Sequence, residues 1–308
     1  MRFGAAFWVN RTTWAAVRDA CLLAERTGWD SVWIDDHLLA DEGDWTDPKL
    51  EGWATLSAVA ALTERVQVGL LVGANTFRNP GLTAKLATTL DHISGGRAVL
   101  GIGAGWFERE HEAFGIDFGS GFGERLDRLD EAVGLIRRLL AGERVTHHGP
   151  FYRMRDAVCA PLPLQPRLPL LIGGMGPKKT LPTIARHADM WNAKGMPDEL
   201  VAADVILRAR CAELGRDPAE IERSVYQNAV VRDTREGAAD AWEVHRTRHN
   251  PQAGEDEAEL LGPPDEVAAQ LRAYEAVGIE HVIWVFRDPF DAETITRLSE
   301  VRAALGVA

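Results

Sequence analysis

The sequence predicts a (β/α)8 barrel, and three observations carry that prediction. Short apolar runs alternate with longer stretches of helical period from end to end, the short runs number eight, and no Pro-, Gly- or Ser-rich linker separates them. Several runs are continuously apolar, as expected of strands covered on both faces in a parallel sheet. A doubly wound sheet is the competing architecture. A length of 308 residues allows two smaller domains or one large barrel, and the unbroken alternation favours a single barrel domain over residues 1–308.

The eight strand candidates are Arg2–Val9, Ser31–Ile34, Val66–Gly73, Arg97–Ile102, Pro169–Ile172, Met190–Ala193, Ile221–Val231 and His281–Phe286. Helical spacing predicts Thr13–Arg26, closed by Gly28, then Ala54–Thr63, Leu82–Ile93, Phe122–Leu140, Lys178–Ala188 and Glu199–Leu214. It also predicts Asp265–Ala276, where Val267, Leu271, Tyr274 and Val277 share one face for packing on the barrel exterior. Four stretches exceed simple turns: 38–52, 106–121, 142–161 and 250–264. Such insertions shape the substrate pocket of a barrel.

Composition excludes several partners. With 34 Lys and Arg against 46 Asp and Glu, the formal charge is −12. Both halves share the deficit, so no basic stripe is available for a phosphate backbone or an anionic membrane. Cys21, Cys159 and Cys211 lie far apart without CxxC or Cys–His zinc spacing and read as reduced core thiols. His245 and His249 have i, i+4 spacing but no Glu between them, so no metal is expected there. The first residues run straight into a strand, and no window holds 18 uninterrupted apolar residues, so the expected address is the cytoplasm.

Barrel enzymes carry their chemistry at the C-terminal ends of the strands. Those ends here hold Trp8-Val9-Asn10, Asp35-Asp36-His37, Gly73-Ala74-Asn75, Gly103-Ala104-Gly105-Trp106, Gly173-Gly174-Met175-Gly176-Pro177, Asn192-Ala193-Lys194 and Arg287-Asp288. The loop Gly173–Pro177 enters a helix, a geometry that favours a phosphate, and Lys178 and Lys179 add charge beside it. A tight βα turn is the alternative. Asp36 and His37 pair a carboxylate with the side chain that titrates near neutrality, and are the candidate catalytic groups; a structural loop-capping histidine is the alternative. Trp8, Trp106 and Trp191 stand at strand ends, where an indole flanks a substrate or packs in the core; Trp14, Trp29 and Trp53 read as core or helix-packing residues. The chain has no GxSxG and no paired Cys–His motif, which removes support for a hydrolase.

Several ordered motifs together resemble the bacterial luciferase-like oxidoreductases. They are the run Gly28-Trp29-Asp30-Ser31-Val32-Trp33-Ile34-Asp35-Asp36-His37, then Arg78-Asn79-Pro80, Thr89–Arg97, Gly101–Trp106, Pro169–Gly174, Ala188–Asn192 and Gly262–Val267 with Val277-Gly278-Ile279. The match spans essentially the whole chain. Asp36-His37 and the continuation Gly105-Trp106-Phe107-Glu108-Arg109-Glu110 make it most similar to the branch that uses the deazaflavin coenzyme F420.

The resemblance implies a luciferase-like (β/α)8 barrel whose rim holds the cofactor against Asp36, Asn75 and Gly103, Ala104 and Gly105. Its phosphate would lie at Gly173, Gly174, Met175, Gly176 and Pro177, with Arg78 or Arg97 as further cations. It implies a non-proline cis bond at Leu71–Val72 against the ring. Trp8, Trp106, Glu108 and Trp191 are the expected substrate-pocket residues. The branch's sugar-phosphate dehydrogenases carry a catalytic Glu immediately after the glycine loop, where this chain has Trp106; that departure points to an apolar or mixed substrate. The expected activity is hydride transfer between the deazaflavin and a small organic substrate, with His37 as proton donor or acceptor, in a homodimer. An FMN-dependent monooxygenase and a non-catalytic deazaflavin-binding protein are the alternatives.

Overall fold

The computed structural model describes residues 1–249 and 259–306. Eight strands form the barrel: β1 (Arg2–Phe7), β2 (Ser31–Ile34), β3 (Gln67–Leu70), β4 (Ala98–Gly103), β5 (Leu170–Gly173), β6 (Met190–Ala193), β7 (Glu222–Val231) and β8 (His281–Phe286). Each pairs in parallel with its neighbours, and β8 pairs with both β7 and β1 while β6 pairs with β7, which closes the sheet. All eight expected strands are present, with ends shifted by a few residues.

Period-2 alternation sorts each strand between two cores. Ala6, Trp33, Leu71, Val99, Leu171, Met190, Ile283 and Val285 pack together inside the barrel. Neighbours of opposite parity, such as Phe7, Val32, Leu100, Leu170 and Trp284, join the larger core beneath the helices. Trp33 fills the barrel centre because Gly69 faces it; a Cβ there would lie 2.6 Å from the indole.

The outer layer contains α1 (Trp14–Arg26), α2 (Gly52–Leu62), α3 (Pro80–Ser94), α4 (Glu108–Phe114), α5 (Phe122–Leu140), α6 (Thr180–His187), α7 (Pro197–Glu213), α8 (Arg235–His249), α9 (Pro264–Ala276), α10 (Ala292–Thr296) and α11 (Leu298–Leu305). Side-chain caps start several of them: Thr13 on α1, Glu51 on α2 and Asn79 on α3. None is long and apolar enough to cross a membrane. The three cysteines are buried free thiols.

The insertions have internal structure. The stretch 106–121 contains α4, and 142–161 contains an antiparallel hairpin of Val145–His148 with Arg153–Ala157. Residues 250–258 of the fourth insertion lie outside the described residues; Glu259–Gly262 adds a parallel strand to β7. One expected strand is broken. Val66–Gly73 divides into β3 and a two-residue strand, Gly73–Ala74, that pairs further along β4. The Leu71–Val72 peptide bond between them is cis.

Candidate active site

The C-terminal rim encloses a cavity of about 610 Å³, within the roughly 300–1,000 Å³ of small-molecule sites. Its lining divides into two arcs. One is backbone and small side chains: the bulge at Leu71–Ala74 after β3, Gly103–Gly105 after β4, and Gly173–Gly176 with Thr180 after β5. The other, from β7, β8, β1 and β2, is aromatic and charged: Tyr226, Asn228, Arg287, Trp8, Asp35, His37, Asp41 and Glu42.

The glycines of the first arc are required by what faces them. A Cβ on Gly103 would lie 2.8 Å from the Val72 side chain, and one on Gly173 3.3 Å from it. The two glycines therefore leave Val72 as an apolar knob on an otherwise flat wall. Gly105 has φ 80°, and a Cβ on Gly176 would cover the Thr180 hydroxyl at 2.7 Å. The loop before α6 thus keeps that hydroxyl and nearby backbone open to the cavity, a cradle suited to an oxyanion.

Asp36 is buried and its carboxylate is fully engaged. Arg78 Nη1 donates to Oδ2 at 2.6 Å and Nη2 to Oδ1 at 3.0 Å, while the Ala74 amide donates to Oδ2 at 3.0 Å. Burial holds this carboxyl above its ordinary value, and the Arg78 guanidinium offsets only part of that shift. The arrangement makes Asp36 the anchor of the bulge after β3, and a clamped carboxylate is poorly placed to carry a proton.

His37 is differently placed. Its Nδ1 hydrogen-bonds to Glu110 Oε1 at 2.9 Å, and its Nε2 lies 3.6 Å from Asp41 Oδ2. Glu110 Oε2 accepts from the Leu38 amide at 2.8 Å, so this carboxylate from α4 fixes both the imidazole and the loop leaving β2. Burial alone would lower the His37 pKa, but the bond to Glu110 and the negative charges of Asp41 and Glu110 raise it above the ordinary 6.5. Asp41 is held below the usual carboxylate value: burial opposes, yet the positive charges of His37 and Lys49 prevail. The Trp106 ring lies edge-on to the His37 ring at 5.5 Å and is 60% exposed at the cavity mouth.

The structure brings together most of the expected site residues: Asp36, His37, Leu71, Val72, Gly103, Ala104, Gly105, Gly173, Gly174, Met175, Gly176, Trp8 and Trp106 line one cavity. Others do not line it. Trp191 follows inward-facing Met190, so it turns into the outer core, where Nε1 donates to Gly174 O at 2.8 Å and braces the loop from behind. Glu108 is exposed on the first turn of α4; two residues further on, it is Glu110 that turns inward. Asn75 lies behind the wall and donates to Tyr152 Oη at 3.0 Å. Pro177 is exposed beside Gly176. Lys179 binds Asp127 at 2.6 Å and Gly123 O at 3.0 Å on α5.

Neither Lys178 nor Lys179 lines the cavity, and the other expected cations are engaged elsewhere. Arg78 holds Asp36, and Arg97 donates to Val66 O and Thr63 O below the barrel. Trp29 and Trp53 are buried, whereas Trp14 stands at the start of α1 and is 36% exposed. Sequence reading missed Glu110, Asp41, Glu42 and Tyr226.

A closed parallel barrel with a cavity of this size at the strand C-termini defines a (β/α)8 protein built for a small-molecule site. The luciferase-like monooxygenase family model matches residues 2–248, and the chain belongs to that family. Among curated proteins it is similar to a coenzyme F420-dependent glucose-6-phosphate dehydrogenase of Microbacterium testaceum, 30% identical over 91% of this chain and 89% of that one. It is also similar to a coenzyme F420-dependent hydroxymycolic acid dehydrogenase of Mycobacterium tuberculosis, 32% identical over 71% and 60% of the two chains. Among solved structures, a coenzyme F420-dependent secondary alcohol dehydrogenase in complex with a coenzyme–acetone adduct superposes with a TM-score of 0.85. It covers 99% of this chain and 98% of that one at 21% identity, which is a likeness of fold.

Proposed function

We propose that this protein is a deazaflavin-dependent oxidoreductase in which His37 exchanges a proton with a small organic substrate. The observation that carries the reading is the His37–Glu110 pair: a histidine held by a buried carboxylate and facing, across one cavity, a glycine-lined wall that fits a flat ring. The named activities of the relatives support the choice of coenzyme F420. Its ring would rest on Val72 and Gly103–Gly105, and its phosphate on Gly173–Gly176 and the Thr180 hydroxyl. Bound there, the coenzyme supplies hydride transfer to or from carbon.

The chain's residues then have separable roles. Glu110 accepts from Nδ1–H and so leaves Nε2 as the titrating atom. In the reducing direction, imidazolium Nε2–H donates a proton to the atom next to the hydride acceptor; in the oxidising direction, neutral Nε2 accepts the hydroxyl proton. Asp41 stabilises the charged form. Asp36 and Arg78 hold the bulge that carries Val72. The exposed apolar residues Leu62 on α2 and Leu82 and Ile93 on α3 support a homodimer, which sedimentation would test.

Spectroscopic titration with coenzyme F420 and with FMN tests the cofactor assignment. Tight binding of the deazaflavin with weak binding of FMN is expected; the reverse would favour an FMN-dependent monooxygenase. Binding without turnover by any small alcohol or carbonyl would leave a carrier protein instead.

A further inference from the structure

The charged arc of the cavity contains a guanidinium that is already matched. Arg287, at the end of β8, donates from Nε to Glu42 Oε2 and from Nη2 to Glu42 Oε1, both at 2.6 Å. Its Nη1 donates to Asn228 Oδ1 at 2.8 Å. Both side chains of the pair are only 14% exposed, and all three residues line the cavity. This forked geometry is the one by which an arginine recognises a carboxylate or a phosphate.

We propose that Glu42 determines substrate charge: its carboxylate occupies the Arg287 fork as a built-in anion, so the pocket takes an uncharged alcohol or carbonyl compound. The inference rests on the oxidoreductase reading above and deepens it.

Two further observations point the same way. Asp41 and Glu110 flank His37, so an anion approaching Nε2 meets negative charge on two sides. The rest of this arc holds the aromatic pair Trp8 and Tyr226, with ring centroids 6.5 Å apart, the Trp106 indole, and Lys194, whose Nζ lies over the Tyr226 ring at 6.0 Å. An acid group on the substrate would have to displace Glu42 from a paired, hydrogen-bonded site. A neutral hydroxyl or carbonyl with an apolar body meets no such opposition. Glu42 lies in the loop after β2, so substrate charge is set on a segment separate from the glycine-lined wall.

The test is titration of inorganic phosphate into the full-length protein without cofactor, for wild type, Glu42→Gln, Glu42→Ala and Glu42→Gln combined with Arg287→Gln. Both single variants should bind phosphate roughly tenfold more tightly than wild type, the scale of one charge-assisted pair. The gain should weaken with salt and vanish in the double variant. In turnover, wild type should prefer an alkanediol to its monophosphate ester, and Glu42→Gln should narrow that preference through KM.

Wild type binding phosphate as tightly as Glu42→Gln would overturn the proposal, as would a gain that survives loss of Arg287. Equal turnover of diol and monophosphate by wild type would overturn it without any variant. Absence of all cofactor-dependent turnover would instead remove the oxidoreductase reading, and the phosphate titrations would still decide whether Glu42 masks Arg287.

Discussion

Two histidine–glutamate pairs stand at opposite ends of the same barrel and have opposite proton chemistry. At the C-terminal end, His37 Nδ1 bonds to Glu110 at 2.9 Å; at the N-terminal end, His281 Nδ1 bonds to Glu222 at 3.0 Å. The first pKa is raised and the second lowered. The difference lies on the other ring nitrogen. His281 Nε2 meets Ser31 Oγ at 2.9 Å, and that hydroxyl accepts from Trp33 Nε1 at 2.8 Å, so the hydroxyl proton is directed at a neutral imidazole. Burial is the main cause of the lowered value, and the nearby Arg2 charge adds to it. His37 Nε2 instead faces the Asp41 carboxylate beside an open cavity. The same pair of residue types is closed off where a neutral donor completes the network and open to a cavity where an anion faces the second nitrogen, which is the setting the proposed proton exchange requires.

The contrast predicts a graded series. The largest effect falls on His37→Ala, which should lower turnover by about 10²–10⁴-fold with cofactor affinity nearly intact; unchanged steady-state kcat would remove His37 from the chemistry. Ser31→Ala should do the converse. It strands Trp33 Nε1 and His281 Nε2 in the barrel floor and should cost about 1–3 kcal/mol in urea unfolding, with kcat and KM unaltered. A kinetic defect in that variant would mean that the two ends communicate.

The pH dependences should also oppose each other. The raised His37 pKa contributes stability that is present below pH 6.5 and lost as pH rises through the folded value; the lowered His281 pKa contributes stability present above pH 6.5 and lost as pH falls. Glu110→Gln should therefore move the alkaline limb of kcat in the reducing direction downward toward 6.5, with a loss of about tenfold at neutral pH. A pH profile that ignores the substitution would reduce Glu110 to a loop brace. The smallest effect is expected from Lys179→Ala: its exposed pair with Asp127 is worth ~0–1 kcal/mol, and cofactor affinity should not change.

The barrel was legible because buried parallel strands are written as uninterrupted apolar runs, and Phe3–Val9, Pro169–Ile172 and Val282–Phe286 show this directly. Helix α8 was not, since Arg235–His249 buries only Ala238 and His249 among largely polar neighbours and so leaves no apolar stripe to read. At the site, glycine loops and Asp36-His37 stood out by composition. Glu110 did not, because the run Glu108-Arg109-Glu110 carries no sign of which carboxylate turns inward; that depends on where α4 begins. Strand parity could have corrected Trp191, since Asn192 and not Trp191 shares the inward face of Met190. Pairings across the rim, such as Glu42 with Arg287 and Lys179 with Asp127, link residues far apart in the chain and follow from the barrel's closure.

Glu110 grips the exit of β2 at two successive residues, His37 through Oε1 and Leu38 through Oε2. Further along the same loop, Arg109 from α4 lies over the Trp45 ring at 4.3 Å. The segment that carries Glu42 is thus tethered upstream and downstream by one short helix, and the imidazole is itself part of the upstream tether. A loop graft meant to alter the surroundings of Glu42 would therefore have to keep Trp45, or the strut from α4 that holds both ends of the segment would be lost on one side.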